Sequence, residues 1–376
     1  MHNSENAAMK SGQPYRPDVA VIGAGLSGLM TARLLVFAGF AVTVFEARDR
    51  VGGRILSGRG ASMSGGRYDL GPAWLWPHNT RLLALMDELS LPLMRQHSEG
   101  RLVFQDGHGK VRRDLDMATM AEGLRVPGGL SRLTEALAVA LPAGTVQLGH
   151  RLETVHSQDD GIRLTGRNAQ SVIEVLAPNA VLALPPRVAA AGLVFGPDLP
   201  ADFKSRLTNV PTWMAGHSKM VAVYERAFWR DAGLSGDAIS HKGPLFEIHD
   251  ASCEPDSKGE AALFGFVAPG LAQPNVDEGR LKEAAVNQLA ELFGQTASHP
   301  TEILFQNWAS DDLTATAWDT PALGGHPRYQ RIGFDGTPFS NKLWFASTEV
   351  AEENGGFLEG ALEAAKHTAA AIIDQR

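Results

Sequence analysis

The chain has 376 residues, of which 44% are hydrophobic and 40 are glycine, a composition typical of a globular α/β protein with one large or two smaller domains. Its formal net charge of -8 gives no electrostatic basis for binding nucleic acid or an anionic membrane surface. Cys253 is the only cysteine, which excludes an intrachain disulfide and a cysteine metal cluster and favours a reducing, cytoplasmic compartment.

Neither the amino terminus nor the most apolar region predicts a membrane segment. Residues 1–17 are polar and lack the apolar part of a secretory signal, so residues 1–15 are predicted to form a flexible tail. The longest apolar region, residues 29–45, contains Arg33 and belongs to the motif described next, which argues against a membrane span. We therefore expect no membrane partner.

The first ordered element is predicted at Val19–Ile22, an apolar run with β-branched residues that suits a strand buried on both faces. The sequence GAGLSG follows at once in G-x-G-x-x-G spacing, and an apolar helical pattern opens behind it. Gly23 permits a tight turn, Gly25 lets a pyrophosphate approach the backbone, and Gly28 allows close packing of helix on strand. Phosphate would then bind the unpaired N–H groups at the positive end of the helix.

A second strand over residues 41–45 ends in Glu46, about twenty residues after the glycines, where a carboxylate can bind the two ribose hydroxyls of a dinucleotide. The carboxylate argues against a 2′-phosphate on that ribose. Strand, glycines, helix, strand and acid thus occur in the order of a Rossmann-like nucleotide-binding unit, which by itself does not distinguish NAD from FAD.

The next residues carry a family resemblance. Residues 48–54, RDRVGGR, resemble the second signature of the flavin-containing amine oxidase family, of the monoamine oxidase type. In that family the double glycine brings the backbone close to the flavin side of the cofactor, and the arginines, here Arg48 and Arg54, contact ribose and pyrophosphate. The resemblance implies that the cofactor is FAD.

A second resemblance lies at residues 69–71, DLG, which match the family segment that runs beneath the isoalloxazine ring. The family usually has a second glycine where this chain has Pro72. Trp74 and Trp76 follow, and they either line the active site or pack at a domain interface, because tryptophans mostly bury area.

The segment after these tryptophans predicts a compact substrate domain. Residues 126–133, VPGGLSRL, resemble the family's turn of two glycines and a hydrophobe, which starts a helix returning to the FAD domain. Only about fifty residues separate this turn from the DLG segment, whereas membrane-bound monoamine oxidases carry a far longer helical insertion there. The resemblance implies a shallower or more open substrate cavity. It also places the backbone of Leu152 against the adenine.

Lys219 is the first candidate for a catalytic role. It opens a predicted strand over residues 219–224, with Phe228 and Trp229 behind it. In the family the matching lysine holds a water against flavin N5 and assists the reaction with oxygen. The alternative is an ordinary lysine at a strand end whose amine reaches solvent. His217 lies two residues earlier and would share the face of Lys219, although the sequence favours a solvated or core histidine.

Phe357 and Trp318 form a candidate aromatic pair. The family places two aromatic rings in front of the flavin to hold the amine, and Phe357 matches one of them within GFLEGA. Trp318 matches the other when counted forward from Trp308. Such rings offer π-faces to the amine and a dry slot that disfavours its ammonium form, unless both are ordinary core aromatics. Ala317 stands where covalently flavinylated relatives have cysteine, so the FAD is predicted to be non-covalent.

The end of the chain resembles the family's C-terminal signature. That resemblance places Glu349 near the pyrophosphate and ribityl groups and the N–H of Leu358 at the flavin ring. Ser347 stands where the family usually has glycine. A helix that begins at the ring would stabilise the anionic reduced flavin through its positive end.

These segments give a predicted site without a metal ion, because the twelve histidines are scattered and show no paired ligand spacing. The predicted cofactor-binding residues are Gly23, Gly25, Leu26, Ser27, Gly28, Glu46, Ala47, Arg48, Gly53, Arg54, Gly71, Pro72, Ala73, Trp74, Leu152, Glu349, Gly356, Phe357 and Leu358.

The predicted fold class is α/β, with a Rossmann-like FAD-binding domain of the GR2 flavoprotein type and a substrate domain of mixed sheet and helices. The resemblance divides the FAD-binding domain into residues 16–74, 128–205 and 313–376. Residues 75–127 and 206–312 form the substrate domain. Apolar residues at helical spacing predict helices over residues 81–89 and 277–293.

The resemblance implies an FAD-dependent amine oxidase that takes a hydride equivalent from the α-carbon of a small-molecule amine and passes electrons to oxygen, giving hydrogen peroxide. One alternative keeps the fold and changes the substrate to a non-amine, as in desaturases, protoporphyrinogen oxidases or renalase-like enzymes. Another alternative is a redox-silent protein with structural FAD. The sequence names neither the amine nor the oligomeric state.

Overall fold

The computed structural model describes residues 13–60, 66–253, 259–268, 270–271, 273, 275–319, 323 and 325–376. Among these residues, the strands in chain order are β1 Val19–Ile22, β2 Val42–Phe45, β3 Ser57–Arg59, β4 Arg67–Asp69, β5 Met94–Arg95, β6 Arg101–Gln105, β7 Val111–Leu115, β8 Leu124–Arg125, β9 Val146–Gln147, β10 Arg151–Gln158, β11 Gly161–Arg167, β12 Val172–Ala177, β13 Asn179–Leu182, β14 Val194–Gly196, β15 Ser218–Tyr224, β16 Leu234–Ser240, β17 Leu245–Asp250, β18 Ala261–Val267, β19 Glu302–Asn307 and β20 Leu343–Phe345. The helices are α1 Leu26–Phe37, α2 Thr80–Glu88, α3 Ser131–Val139, α4 Pro186–Gly192, α5 Ala201–Thr208, α6 Phe228–Asp231, α7 Glu278–Phe293 and α8 Leu358–Ile373.

A parallel sheet forms the centre of the nucleotide-binding part. Its described strands lie in the order β20-β13-β1-β2-β9, and each neighbouring pair is parallel. Alternate residues of β1 point to opposite faces, so Val19 and Val21 pack with α1 and α8, whereas Ala20 and Ile22 pack with β10, β11 and β12. Burial on both faces explains why β1 is an unbroken apolar run.

A mixed sheet forms the second part, in the order β19-β15-β18-β17-β16-β6-β7 among the described strands. All neighbours are antiparallel except β16 and β6. Helix α7 covers the face that carries Met220 and Ala222, and Asp277 caps it by accepting a hydrogen bond from Arg280 N. The opposite face, with Val221 and Phe264, packs towards the segment between β4 and α2.

This architecture confirms the predicted α/β fold class with a Rossmann-like part and a mixed-sheet part. The parallel sheet takes strands from three separated stretches of the chain, and the mixed sheet takes strands from two. The domain boundaries themselves stay a prediction. Residues 1–12 of the predicted tail and residues 61–65 lie outside the described residues. No helix within the described part is long and apolar enough to cross a membrane.

Candidate active site

A cavity of about 840 Å³ lies between the parallel sheet and the mixed sheet. This volume is within the range of about 300–1,000 Å³ that small-molecule sites occupy. One end is lined by residues at the carboxyl ends of β1 and β2, where open parallel sheets bind their ligands. The other end is lined by residues from β15 and β18, including Lys219 and Phe266.

The glycine turn between β1 and α1 is shaped to admit a phosphate. Gly25 lies in extended backbone immediately before α1, and a Cβ placed on it would meet only the Gly52 carbonyl oxygen, at 3.9 Å. Gly28 is different, because its Cβ would overlap the carbonyl oxygen of Gly23. Gly25 therefore leaves space on the cavity side, and Gly28 lets α1 pack on the turn. No side chain caps the first turn of α1, so its N–H groups remain available to an anion.

Two buried hydroxyls support a polar ligand at this end of the cavity. Ser27 Oγ and Ser347 Oγ are buried, line the cavity and have no hydrogen-bond partner within the described part of the chain. Buried polar atoms of this kind are normally satisfied, so an oxygen-rich ligand explains both. The donor set, the glycine space and the free helix end all fit the pyrophosphate and ribityl groups of FAD.

Glu46 and Arg48 form a charged group at the end of β2. Glu46 is buried and accepts hydrogen bonds from Ala24 N at 2.8 Å and from Arg48 N at 2.9 Å. The Arg48 guanidinium donates to both carboxylate oxygens of Asp311 at 2.8 Å and to Thr314 at 3.1 Å. The loop after β19 therefore holds the arginine in place before any ligand binds.

An ion pair joins the RDRVGGR segment to the end of the chain. Arg54 donates to both carboxylate oxygens of Glu349, at 2.6 and 3.1 Å. Glu349 is fully buried, whereas Arg54 lines the cavity and its side chain is 28% exposed. Glu349 therefore lies behind the cavity wall and supports Arg54. The same C-terminal stretch leads to Phe357 and Leu358, where α8 begins without a side-chain cap.

Lys219 points into the space between the two sheets. Its amine donates to the Gly71 carbonyl at 3.0 Å and lies 3.8 Å from the centre of the Phe264 ring. The residue is only 2% exposed, and burial is the main cause that lowers its pKa from 10.5 to about 7. His217, on the same side, also lines the cavity, and burial lowers the pKa of its imidazole. A lysine that reaches solvent is therefore not what the structure shows.

The aromatic wall around Phe357 differs from the sequence expectation. The Phe357 ring stacks on His326 with centroids 4.6 Å apart and an interplanar angle of 9°. His326 in turn meets Trp213 edge-on at 4.9 Å, and Trp213 and Phe357 both line the cavity. Neither Trp213 nor His326 could be identified as a cavity residue from the sequence, because both lie in loops whose apolar residues follow no helical or strand periodicity.

Trp318 is the predicted catalytic residue that does not line the cavity. Its side chain is 47% exposed and does not line the cavity, although Ala317 does. The orientation of Trp318 is set by the hydrogen bonds of the next residue, Asp319. Asp319 is buried and accepts hydrogen bonds from Arg187 at 2.7 Å and from Thr212 N at 3.1 Å, which turns Trp318 outwards. The predicted pairing of Trp318 with Phe357 is corrected accordingly.

The remaining predicted residues lie together. Gly28 and Glu349 do not line the cavity themselves, since Gly28 packs against the turn at Gly23 and Glu349 pairs with Arg54. Those that line the cavity are Gly23, Gly25, Leu26, Ser27, Glu46, Ala47, Arg48, Gly53, Arg54, Gly71, Pro72, Ala73, Trp74, Leu152, Lys219, Gly356, Phe357 and Leu358. Trp74 and Trp76 both line it, and Trp74 also packs on Phe264 and His249, so neither sequence interpretation of the tryptophans excludes the other. No group of side chains suited to hold a metal ion occurs within the described residues.

Comparison with known proteins agrees with this geometry. The model of a family described as flavin containing amine oxidoreductase matches residues 26–119 and 109–373. A relative from Mycobacterium tuberculosis named flavin-containing monoamine oxidase AofH is 27% identical, over 96% of this chain and 97% of the relative. A solved structure of putrescine oxidase bound to putrescine has a TM-score of 0.79 and 22% identity, and it covers 96% of this chain and 100% of its own. The structure of cyclohexylamine oxidase from Brevibacterium oxydans IH-35A has a TM-score of 0.76 and 19% identity, with 96% and 99% covered.

Proposed function

Because this chain belongs to the flavin-containing amine oxidoreductase family and is therefore an FAD-dependent amine oxidase, we propose that it oxidises apolar monoamines and uses oxygen as its electron acceptor. The amine would lose a hydride equivalent from its α-carbon, and the resulting imine would hydrolyse to an aldehyde and ammonia, or to a smaller amine. When bound, FAD accepts that hydride equivalent at N5 and passes both electrons to oxygen, which gives hydrogen peroxide.

The observation that carries the proposal is that the cavity wall is largely apolar and that its carboxylates are already engaged. The lining includes the aromatic and apolar side chains of Trp74, Met120, Trp213 and Phe266. A neutral amine with an apolar substituent suits such a wall.

The carboxylates that line the cavity are already engaged. Among the described lining residues these are Glu46, Asp312 and Glu359. Glu46 accepts two backbone N–H groups, and Asp312 pairs with Arg151 at 3.2 Å. Glu359 is buried and accepts hydrogen bonds from the N–H groups of residues 81 and 82 at the start of α2. A second ammonium group on the substrate would enter the cavity without a free counter-ion, at a cost of several kcal/mol.

The chain's own residues explain how the amine is prepared. An apolar, aromatic lining favours the uncharged form of the amine, whose lone pair the reaction needs. Phe357 is fixed because its carbonyl accepts a hydrogen bond from Thr348 at 2.7 Å. The Lys219 amine is buried 3.8 Å from the centre of the Phe264 ring, and its protonated form would stabilise the negative charge that develops on oxygen.

The FAD is proposed to be bound without a covalent link. Ala317 lines the cavity at the position where the resemblance would require cysteine. Cys253 is buried and its thiol donates to the carbonyl of Arg67 at 3.0 Å, away from the lining residues. Heat denaturation followed by precipitation should therefore release all of the flavin into solution.

The test compares amines of equal size under turnover conditions with a peroxide assay. n-Hexylamine and 1,5-diaminopentane have the same number of heavy atoms, and only the second carries a distal ammonium group. We expect peroxide formation with hexylamine and cyclohexylamine, and at least a 100-fold lower kcat/KM with the diamine, which corresponds to about 3 kcal/mol. Equal or faster turnover of the diamine would refute the monoamine proposal. Peroxide from no amine at all would refute oxygen-dependent amine oxidation.

A further inference from the structure

The ring of Phe357 lines the cavity, and its backbone alone does not fix where the ring lies. The Phe357 N–H donates to the Asn354 carbonyl at 3.2 Å, and the Phe357 carbonyl accepts a hydrogen bond from Thr348 Oγ at 2.7 Å. These bonds hold the main chain but leave the two side-chain torsions free to change rotamer. The side chain is 50% exposed. The position of the ring therefore depends on the groups that pack on it.

His326 packs flat on this ring. The two ring centroids are 4.6 Å apart and the interplanar angle is 9°. Phe357 lines the cavity and His326 does not, so the face that the imidazole covers is turned away from the cavity. Stacked ring pairs stabilise each other beyond the area that they bury. His326 thus supports the Phe357 ring from outside the cavity.

His326 is itself held in a defined orientation, although it is exposed. Its Nε2 lies 2.9 Å from the Gly355 carbonyl, which can only accept, so Nε2 carries the proton and donates it. Trp213 meets the imidazole edge-on at 4.9 Å, and Tyr329 does so at 5.8 Å. Tyr329 is 7% exposed and its hydroxyl donates to the Pro211 carbonyl at 2.9 Å. The imidazole is therefore fixed from three directions.

The backbone next to Phe357 is built to meet this aromatic group. Gly356 has φ +82°, in the region that favours glycine. A Cβ placed on it would lie 3.0 Å from the Trp213 Cβ and 3.2 Å from both His326 Nε2 and Tyr329 Cε2. Three segments that are distant in the chain thus meet at the base of Phe357, and the glycine lets them come this close.

We propose that His326 is a positioning residue for the amine, because its imidazole holds the Phe357 ring in the orientation that faces the cavity. The consequence for the amine rests on the proposed function, whereas the support of Phe357 does not. Without the imidazole the ring is free to take other rotamers, and the wall that it offers to a substrate is less defined. A stacked pair of ordinary strength changes the fraction of correctly placed rings about 2- to 10-fold.

Two substitutions separate the ring of His326 from its hydrogen bond. His326→Gln keeps a side-chain N–H group for the Gly355 carbonyl and removes the ring. His326→Phe keeps a flat ring and removes the donor. Because His326 is exposed, both variants should fold. His108→Gln is the matched control, since it makes the same change at an exposed histidine in the β6–β7 turn that does not line the cavity.

The first test observes the Phe357 ring by NMR in the FAD-loaded protein, without any amine. Phenylalanine is labelled with ¹³C in the ring, and the Phe357 signals are identified by their loss in Phe357→Leu. A ring that lies flat on an imidazole is shielded by it, and the flavin is present in every variant. We expect the Phe357 signals to move downfield in His326→Gln and to remain upfield in His326→Phe and His108→Gln. Unchanged Phe357 signals in His326→Gln would overturn the proposal.

The second test measures anaerobic reduction of the flavin by hexylamine. The dependence of the rate on amine concentration separates the apparent Kd of the amine from the limiting rate of reduction. His326→Gln should raise the apparent Kd about fivefold and leave the limiting rate within about twofold. His326→Phe should restore the wild-type Kd. In the Phe357→Leu background His326→Gln should have no further effect, and an equal loss there would refute a role that acts through Phe357.

The two tests distinguish this inference from the proposed function. If hexylamine does not reduce the flavin, the proposed function fails, and the NMR comparison still decides whether His326 holds Phe357. If hexylamine reduces wild type and His326→Gln with the same apparent Kd, the proposed function stands and the positioning role of His326 is refuted.

Discussion

Gly25 and Gly28 of the first turn give a sharp prediction, because a side chain added at each would meet different surroundings. Gly25 has φ -71° and ψ 177°, a conformation open to any residue, and its Cβ would have an ordinary 3.9 Å contact. Replacing it with valine at the start of α1 should cost the fold about 1 kcal/mol. The new side chain would occupy the cavity wall where a pyrophosphate approaches. Gly25→Val should therefore lose FAD and keep its fold.

Gly28→Ala is the matched comparison. Its Cβ would overlap the Gly23 carbonyl oxygen and come within 3.0 Å of the Ala183 Cβ, so α1 must move away from the turn. The expected loss is roughly 3 kcal/mol, the upper part of the range for overpacking. This variant should be destabilised even without cofactor.

The assay combines flavin content, FAD titration and urea unfolding of the apo forms. Gly25→Val should have an unfolding free energy within about 1 kcal/mol of wild-type apoprotein and an FAD Kd at least 100-fold higher. At FAD a thousandfold above the wild-type Kd, binding should stabilise wild type by about 4 kcal/mol and a variant with a 100-fold higher Kd by only about 1.4 kcal/mol. If Gly25→Val purifies with a full complement of flavin, or Gly28→Ala unfolds like wild type, the reasoning about this turn is refuted.

Three other predictions follow from the site. Burial lowers the pKa of Lys219 from 10.5 to about 7, so the unfolded chain binds a proton that the folded chain releases, and stability rises with pH through this interval. In urea titrations, Lys219→Met should raise the unfolding free energy by up to about 5 kcal/mol below pH 7. This gain in stability should decrease as the pH approaches 10.5. Glu349→Gln leaves Arg54 without its buried partner and should lower the unfolding free energy by about 3 kcal/mol and weaken FAD binding about tenfold. Trp213→Ala should raise KM for hexylamine about tenfold, whereas Trp318→Ala should leave it unchanged because that side chain does not line the cavity.

Three experimental results would contradict these predictions. A gain in Lys219→Met that does not change between pH 6 and pH 10 would contradict the low pKa. Glu349→Gln with wild-type stability would mean that the ion pair contributes nothing. A larger effect on KM from Trp318→Ala than from Trp213→Ala would restore the sequence-based aromatic pair.

The nucleotide-binding unit was predictable because its information is local. Strand β1, the glycine turn, α1 and Glu46 follow one another within thirty residues, and each residue type answers a requirement of its immediate neighbours. Helix α7 was predictable for the same reason, since its apolar stripe and its cap at Asp277 lie in one segment. Strand β16, by contrast, was not predictable, because it is buried although it contains Gly236 and Asp237, two residue types that are uncommon in strands.

The aromatic wall and the buried charges were not predictable, because tertiary contacts decide them. Counting along the loop from Trp308 placed Trp318 opposite Phe357, but the buried Asp319 fixes a turn that directs Trp318 outwards. Asp69 and Arg125 likewise give no sign in the sequence that they will be buried. Such burial depends on which segments meet, and spacing along the chain does not report it.

We propose an apolar monoamine, and not a diamine, as the substrate that this cavity presents to FAD. The most direct measurement is anaerobic stopped-flow mixing of the FAD-loaded enzyme with hexylamine or with 1,5-diaminopentane, followed by flavin absorbance. The account predicts full bleaching by hexylamine and a reduction rate at least 100-fold slower with the diamine at equal subsaturating concentration. Bleaching by the diamine at a comparable rate, or by neither amine, would contradict it.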